Sequence, residues 1–192
     1  MGALDDGERV VAADAAAWRA WLAANHATSR GAWLLQPRSG NDDAHVSYED
    51  AVRQALCFGW IDGPKKAFDE RETGQWFSPR RPASGWAATN KARLAELEAA
   101  GLIEEAGRRA IEAAKANGSW TVLDRAEALV EPPDLTAALD AVPAARAAWD
   151  GFPPSARKMG IASVDTARRP ETRAARIATV VAGAAEGRRP RP

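Results

Sequence analysis

Two segments of the chain combine aromatic and charged residues next to residues that favour turns. The first reads ALCFGWIDGPKK at positions 55–66, and the second reads QWFSPRRPASGWAATN at positions 75–90. Binding residues concentrate in turns that a rigid scaffold holds in place. The candidate ligand-binding residues in these segments are Trp60, Asp62, Arg80, Arg81, Trp86 and Asn90.

The arginine pair determines which chemistry these segments favour. Arg80 and Arg81 stand between Pro79 and Pro82, and proline restricts the backbone around them. A guanidinium held in this way suits a carboxylate or a phosphate, to which it donates two parallel hydrogen bonds. Two interpretations stay open here. Either the segments bind an anionic ligand, or one arginine pairs with Asp62 while the tryptophans belong to the core.

Asp62 also permits an enzyme hypothesis, in which its carboxyl group acts as acid or base while an arginine holds an anionic substrate. The chain has no nucleophile elbow, no P-loop and no dinucleotide-binding glycine motif. Cys57 falls at the end of a predicted helix, where the dipole disfavours a thiolate, so we interpret it as a structural cysteine. No catalytic residue can be assigned from these patterns.

The numbers of Cys, His and charged residues limit which metal sites and which binding partners the chain can have. One Cys and two His are too few for a four-ligand structural zinc site, so we expect no metal site of this kind. Lys and Arg number 26, as do Asp and Glu, and this balance makes nucleic-acid binding unlikely for the chain as a whole. Residues 168–192 carry a net charge of +5. We interpret them as a solvated face, with weak binding of nucleic acid or anionic lipid as the alternative.

A chain of 192 residues is long enough to bury a sizeable core. Because 45 of its residues are the small residue Ala, its eight Trp must supply much of the apolar volume of that core. We expect no membrane-spanning helix, because no window of large apolar residues is long enough. We expect no signal peptide, since the acidic N-terminus lacks an apolar stretch. A single Cys fits a reducing compartment, and we predict a cytoplasmic protein.

Local patterns predict strands and helices together in the first half. A helix is expected at 13–25 with Asp14 as its cap, and a buried strand at 32–36. A loop is expected at 38–44, followed by a helix that Ser47 caps and Gly59 ends. Residues 60–68 suggest strand, turn and strand, with the turn at 62–66, and residues 75–78 suggest another strand. Together these predict a small antiparallel sheet.

The second half reads as helical. Ser84 is expected to cap a helix that carries Trp86, and 131–134 resembles a linker. Asp134 and Ser155 are expected to cap later helices, and Pro170 to open the last. The sequence therefore predicts an α+β fold: a helix-dominated single domain with a small antiparallel sheet in its N-terminal half. Residues 1–12 are expected to be flexible and residues 187–192 frayed.

Four ordered motifs resemble a known family. They are ALCFGWIDG (55–63), FSPRRPASGWAATN (77–90), AKANGSW (114–120) and ARRPETRAARI (167–177). With the tryptophans near the start, the resemblance to the YdeI/OmpD-associated, or bacteriocin-protection, family extends over residues 18–177. It implies one domain of that family at 13–186, with an α+β part to about 130 and a helical part from about 134.

The family resemblance implies a role in tolerance of antimicrobial peptides or envelope stress, and it brings no catalytic residue or cofactor. We therefore expect a non-enzymatic cytoplasmic protein that binds a small anionic ligand or a protein partner. The enzyme that uses Asp62 with Arg80 or Arg81 is the alternative, and weak nucleic-acid binding through the arginine-rich C-terminus is a second one.

Overall fold

The computed structural model describes residues 4, 7–37, 45–70 and 72–190, so the predicted loop at 38–44 lies outside the described residues. The fold is α+β and helix-dominated, as predicted. The chain forms two compact units. The N-terminal unit contains Met1–Ser84 and Thr89–Ala116, and the C-terminal unit contains Gly85–Ala88 and Asn117–Pro192. The predicted packing of both parts into a single domain stays a prediction.

A four-stranded sheet forms the base of the N-terminal unit. Its strands are β1 (Glu8–Val10), β2 (Ala32–Pro37), β3 (Trp60–Ala67) and β4 (Glu72–Pro79), in the spatial order β1-β2-β4-β3. β1 runs parallel to β2, and the other two pairs are antiparallel. The sheet is therefore mixed, whereas the sequence predicts an antiparallel one. The parallel strand β1 lies within the stretch that we expected to be flexible.

The strand β3 is continuous where the sequence predicts a turn. Its register with β4 shifts between Asp62, opposite Phe77, and Lys65, opposite Gln75. Gly63 and Pro64, which suggested the turn, occupy this irregularity, where a strand tolerates them. The chain reverses after Ala67 instead. β3 is also an edge strand, and its residues 63–67 are exposed.

The helices of this part are α1 (Ala15–Asn25), α2 (Tyr48–Cys57), α3 (Ala88–Ala99) and α4 (Glu105–Ala116). The predicted caps of the first two are confirmed: Asp14 Oδ1 accepts from the N–H of Ala17 at 2.8 Å, and Ser47 Oγ accepts from the N–H of Asp50 at 3.0 Å. The Asp50 carboxylate accepts the Ser47 hydroxyl at 2.7 Å, so it only partly reproduces a capping box. The prediction for Ser84 is wrong, because α3 begins at Ala88 and Trp86 precedes it.

Aromatic rings pack on both faces of the sheet. On one face Trp18 stacks on Trp21 at 5.1 Å and meets Phe77 at 5.4 Å between ring centres. On the other face Trp33 and Trp76 lie 5.2 Å apart, and Phe68 packs against them. The tryptophans thus supply core volume that an alanine-rich sequence lacks.

The C-terminal unit is helical. Its helices are α5 (Asp124–Glu127), α6 (Pro133–Asp140), α7 (Pro143–Asp150), α8 (Pro154–Asp165) and α9 (Pro170–Ala185). Proline opens the last four, as its fixed φ and missing N–H favour. The caps expected at Asp134 and Ser155 are therefore wrong, since Pro132 and Pro153 take the N-cap positions. The core contains Leu135, Leu139, Trp149, Ile161, Val164 and Val180.

Glu131, expected in a linker, lies at the centre of an ionic network in this unit. Its side chain is 11% exposed. The carboxylate accepts from Trp149 Nε1 at 2.7 Å, from both terminal nitrogens of Arg146 at 3.0–3.1 Å, and from Arg157 Nη2 at 3.3 Å. The 131–134 segment is thus anchored at the start of α6.

No helix in the described part of the chain is both long enough and apolar enough to cross a membrane.

Candidate functional site

Asp62 and Tyr48 form one half of a polar cluster on the N-terminal unit. The hydroxyl of Tyr48 donates to Asp62 Oδ2 at 2.8 Å. The Ser47 cap places Tyr48 in the first turn of α2, where the residue is 46% exposed. Burial of the phenol, followed by the hydrogen bond and the charge of Asp62, raises the pKa of Tyr48 to about 12. At neutral pH Tyr48 is therefore a hydrogen-bond donor and not a base.

Arg80 forms the other half of this cluster. It follows β4 directly, and its N–H donates to the carbonyl of Gly59 at 3.0 Å. Burial lowers the pKa of the Arg80 guanidinium to about 10, and the negative charge of Asp62 works in the opposite direction. Arg80 thus stays positively charged at neutral pH and interacts with Asp62. Whether Arg80 binds an anion or pairs with Asp62 stays open, as it does from the sequence.

Arg81 is the exposed member of the arginine pair. Its carbonyl accepts from the N–H of Ser84 at 2.9 Å, which closes a turn around Pro82. The two neighbouring guanidinium groups therefore differ in environment, because one is desolvated and the other reaches water.

Asn90 is linked to the surface through Arg93. Asn90 is 8% exposed, and its Oδ1 accepts from Arg93 Nη1 at 2.9 Å. Arg93 also donates to Glu49 from Nε at 2.8 Å and from Nη2 at 2.6 Å. The hydrogen bond from Arg93 is the main reason that the pKa of Glu49 lies below its ordinary value. Asn90 thus orients an arginine that joins α3 to α2.

The two candidate tryptophans are buried. Trp60 is 1% exposed, lies edge-on to Trp21 at 5.8 Å, and donates from Nε1 to the carbonyl of His26 at 3.4 Å. Trp86 is also 1% exposed, belongs to the C-terminal unit, and packs against Trp120 at 5.3 Å. Both rings are core in the described structure.

The sequence does not single out Tyr48, Glu49 or Arg93 as candidates. Tyr48 is the single tyrosine of the chain, and it follows a recognisable helix cap. Arg93 stands three positions after Asn90, a spacing that places both on one face of a helix. These features could have drawn attention to both residues, although neither one indicates the partner across the fold.

The arginine-rich end of the chain makes mostly internal contacts. Arg173 donates to both oxygens of Asp134, at 2.6 and 2.8 Å. Arg176 donates to the carbonyl of Ser163 at 2.5 Å, and Arg188 donates to Glu186 at 2.6 Å. A continuous basic stripe for nucleic acid is therefore interrupted by carboxylates and helix carbonyls.

Cys57 is fully buried, and burial raises the pKa of its thiol. It has the environment of an unreactive core cysteine. Among the described residues, no group of three or more His, Cys, Asp and Glu is placed to hold a metal ion.

Two family models match the chain. Residues 10–110, more than half of it, match the model described as Domain of unknown function (DUF8412). Residues 128–187 match the model described as Bacteriocin-protection, YdeI or OmpD-Associated, which confirms the suspected family resemblance. The predicted extent of that domain over 13–186 stays a prediction. No curated protein and no solved structure matches the chain.

Proposed function

From the premise that this chain belongs to the family of the domain of unknown function DUF8412, we propose that it is a non-enzymatic protein that binds a small anionic ligand. The ligand would contact Arg80 and Arg81, with Asp62 and Tyr48 beside them. The bacteriocin-protection match supports a role in tolerance of antimicrobial peptides or envelope stress, and the cytoplasm is the location that we propose for it.

The proposal depends most on the unequal pair of guanidinium groups. Burial lowers the pKa of Arg80 to about 10, whereas Arg81 is exposed. A charge in a partly desolvated environment attracts an opposite charge more strongly than one in water, because the effective dielectric constant is lower. Arg81 would meet an anion at the surface, and Arg80 would strengthen its binding from below.

Asp62 and Tyr48 would control where the anion sits. The carboxylate of Asp62 repels a second negative charge, so a ligand would approach on the side of the arginines that faces away from it. Tyr48 donates its hydroxyl to Asp62 and keeps that carboxylate in place. Together they would favour a carboxylate or phosphate of limited size over an extended polyanion.

The same contacts favour binding over catalysis. The enzyme alternative needs Asp62 to exchange a proton with a substrate, yet its Oδ2 already accepts from Tyr48, and the charge of Arg80 lies nearby. The nucleic-acid alternative needs a continuous run of available cations, but two arginines of that segment, Arg173 and Arg188, pair with Asp134 and Glu186. These observations support the binding hypothesis over the other two.

A thermal-shift screen would test the proposal, with nucleotides, phosphorylated metabolites, carboxylates and short nucleic acids as probes. A ligand present at 100 times its dissociation constant adds about 2.7 kcal/mol to the free energy of unfolding. We expect the hit to lose its shift in Arg81→Gln, whose own melting temperature stays unchanged. Arg108→Gln is the matched control, since Arg108 is exposed on α4 outside the cluster.

Asp62→Asn separates binding from catalysis. A binding site should keep or improve its affinity for the anion, because a nearby negative charge is removed. An enzyme that uses Asp62 should instead lose turnover. Shifts that survive in both Arg81→Gln and Arg80→Lys would contradict the proposed site. A screen without hits would contradict the small ligand and favour a protein partner, to be sought by pull-down from stressed cells.

A further inference from the structure

The C-terminal unit contains a basic concavity, of about 890 Å³, between α8, α9 and the residues that follow α9. Its volume is within the range of small-molecule sites, about 300–1,000 Å³. Three arginines line it, Arg176, Arg188 and Arg189, and the described part of its wall includes no carboxylate residue. None of these residues belongs to the cluster around Asp62.

The end of the chain folds back to make one wall of this cavity. Gly187 adopts φ +68°, and the N–H of Arg188 then donates to the carbonyl of Gly183 at 2.8 Å, which reverses the chain after α9. Pro190 returns to α8, where a Cβ built on Gly160 would lie 3.2 Å from the Pro190 ring. The cavity is thus formed by a specific chain reversal.

Arg176 brings a positive charge that no acidic side chain in the described residues neutralises. Its Nη1 donates to the carbonyl of Ser163 at 2.5 Å and to the hydroxyl of Thr166 at 3.0 Å, and both acceptors are neutral. The side chain is held by the C-terminal end of α8, whose dipole favours a cation. Arg176 therefore presents a fixed charge to the cavity.

The other two arginines complete the positive wall. Arg188 pairs with Glu186 at 2.6 Å, so its charge is largely balanced. Arg189 is exposed, and it makes no ion pair or hydrogen bond with any residue that the structure describes. The cavity therefore presents two guanidinium groups, of Arg176 and Arg189, that no carboxylate of the described residues pairs with.

We propose that this cavity binds the phosphate group of a small phosphorylated molecule. The planar guanidinium matches two phosphate oxygens at once, and two such groups suit a dianion better than a single carboxylate. Ser163 and Thr179 donate their hydroxyls to helix carbonyls, at 2.8 and 2.9 Å, so the arginines carry the recognition. Val180 and Pro190 offer apolar contact to the organic part of the ligand.

Titration calorimetry with pyrophosphate, adenosine 5′-monophosphate and adenosine tests this site in the full chain. We expect pyrophosphate and the monophosphate to bind and adenosine to bind much more weakly. Arg189→Gln should lower the phosphate affinity about ten- to hundredfold, the loss expected for one charge-assisted hydrogen bond. Arg168→Gln is the matched control, because Arg168 is exposed before α9 and does not line the cavity.

Vesicle flotation distinguishes a free phosphate ester from a lipid headgroup. Binding to phosphatidic acid vesicles but not to phosphatidylcholine vesicles, with loss in Arg189→Gln, would identify a headgroup as the source of the phosphate. Three outcomes overturn the inference: no phosphate probe binds, Arg189→Gln binds as well as the original chain, or Arg81→Gln alone abolishes binding. The last of these would place the ligand in the N-terminal unit and support the proposed function instead.

Discussion

At the scale of single residues, Tyr48 is held in its protonated form by its surroundings. Its hydroxyl donates to Asp62 at 2.8 Å, and partial burial adds to the cost of ionising the phenol. The folded-state pKa of about 12 lies above the ordinary value near 10. This interaction is therefore fully stabilising below about pH 10, and the stabilisation is lost as the pH rises through about 12.

Because the chain has one tyrosine, its phenolate absorbance reports this group alone. We expect a titration midpoint near pH 12 in the original chain. Asp62→Asn should lower the midpoint but leave it above the ordinary value, since burial is the largest cause of the shift. Glu98→Gln, an exposed change on α3, should leave the midpoint where it was. An unchanged midpoint in Asp62→Asn would contradict the described hydrogen bond.

Sequence patterns predict some of the residues in the polar cluster around Asp62. Local density draws attention to Asp62 and the arginines, and the negative charge of Asp62 opposes the lowering of the Arg80 pKa by burial. The contact between Glu49 and Arg93 joins positions 44 apart on two helices, and no local pattern encodes it. The same limit explains the tryptophans, because the sequence does not distinguish a ring in a binding turn from a ring in the core.

At the scale of elements, the end of α2 depends on one glycine. Gly59 adopts φ +74°, which residues with a Cβ rarely tolerate. A Cβ there would also lie 2.9 Å from Ala110 Cβ and 3.1 Å from the carbonyl oxygen of Ala106, both in α4. Gly101 shares the backbone conformation, with φ +70°, but has open space around it.

This pair separates backbone strain from crowding. Gly101→Ala should lower the free energy of unfolding by about 1 kcal/mol, the cost of the left-handed conformation. Gly59→Ala should cost about 2–4 kcal/mol, because α2 and α4 must also move apart. Urea unfolding of both variants measures the difference. Equal losses of unfolding free energy in the two variants would mean that α2 and α4 can move apart at Gly59 without a loss of stability.

The sequence predicts the ends of helices and strands where the residues that determine those ends lie close by in the chain. The Asp14 and Ser47 caps and the Gly59 terminator were found because each lies within a few residues of what it controls. β1 was missed because it has three residues, and its partner β2 begins 22 positions after it ends. The turn inside β3 was wrongly predicted because Gly63 and Pro64 suit a bulge as well as a turn, and only the register with β4 decides between them.

At the scale of the whole molecule, Glu131 connects much of the C-terminal unit. Its carboxylate receives hydrogen bonds from Arg146 and Trp149 on α7 and from Arg157 on α8. Neutralising the carboxylate would leave partly buried guanidinium groups without their main acceptor. Removing one partner of a buried ion pair costs about 3–5 kcal/mol, and the partial exposure of both arginines reduces this to about 2 kcal/mol.

Glu131→Gln should therefore destabilise the C-terminal unit by about 2 kcal/mol. Hydrogen exchange should report the loss as faster exchange of amides in α7 and α8. Glu171→Gln is the control, because Glu171 is exposed in the first turn of α9, and it should stay within about 0.5 kcal/mol of the original chain. Unchanged exchange in Glu131→Gln would show that the network adds no stability.

The division of the chain was harder to predict than its elements. The sequence places the start of the helical part near 134, after Pro132 and Pro133, whereas the C-terminal unit begins at Asn117 and also takes in Gly85–Ala88. The short segment joins that unit because Trp86 packs against Trp120. The prolines at 132 and 133 make the sequence there resemble a linker between two parts of the chain. Contacts between residues far apart in the chain, however, determine which residues form one compact unit.

The exposed edge of β3 has a consequence for the protein at high concentration. A strand whose outer backbone groups are unpaired can recruit another chain and start aggregation. Here the irregularity after Asp62 interrupts the edge, Pro64 lacks an N–H to donate, and Lys65 and Lys66 put like charges where a second strand would dock. We therefore expect this short stretch to hinder edge-to-edge pairing of the sheet with another chain.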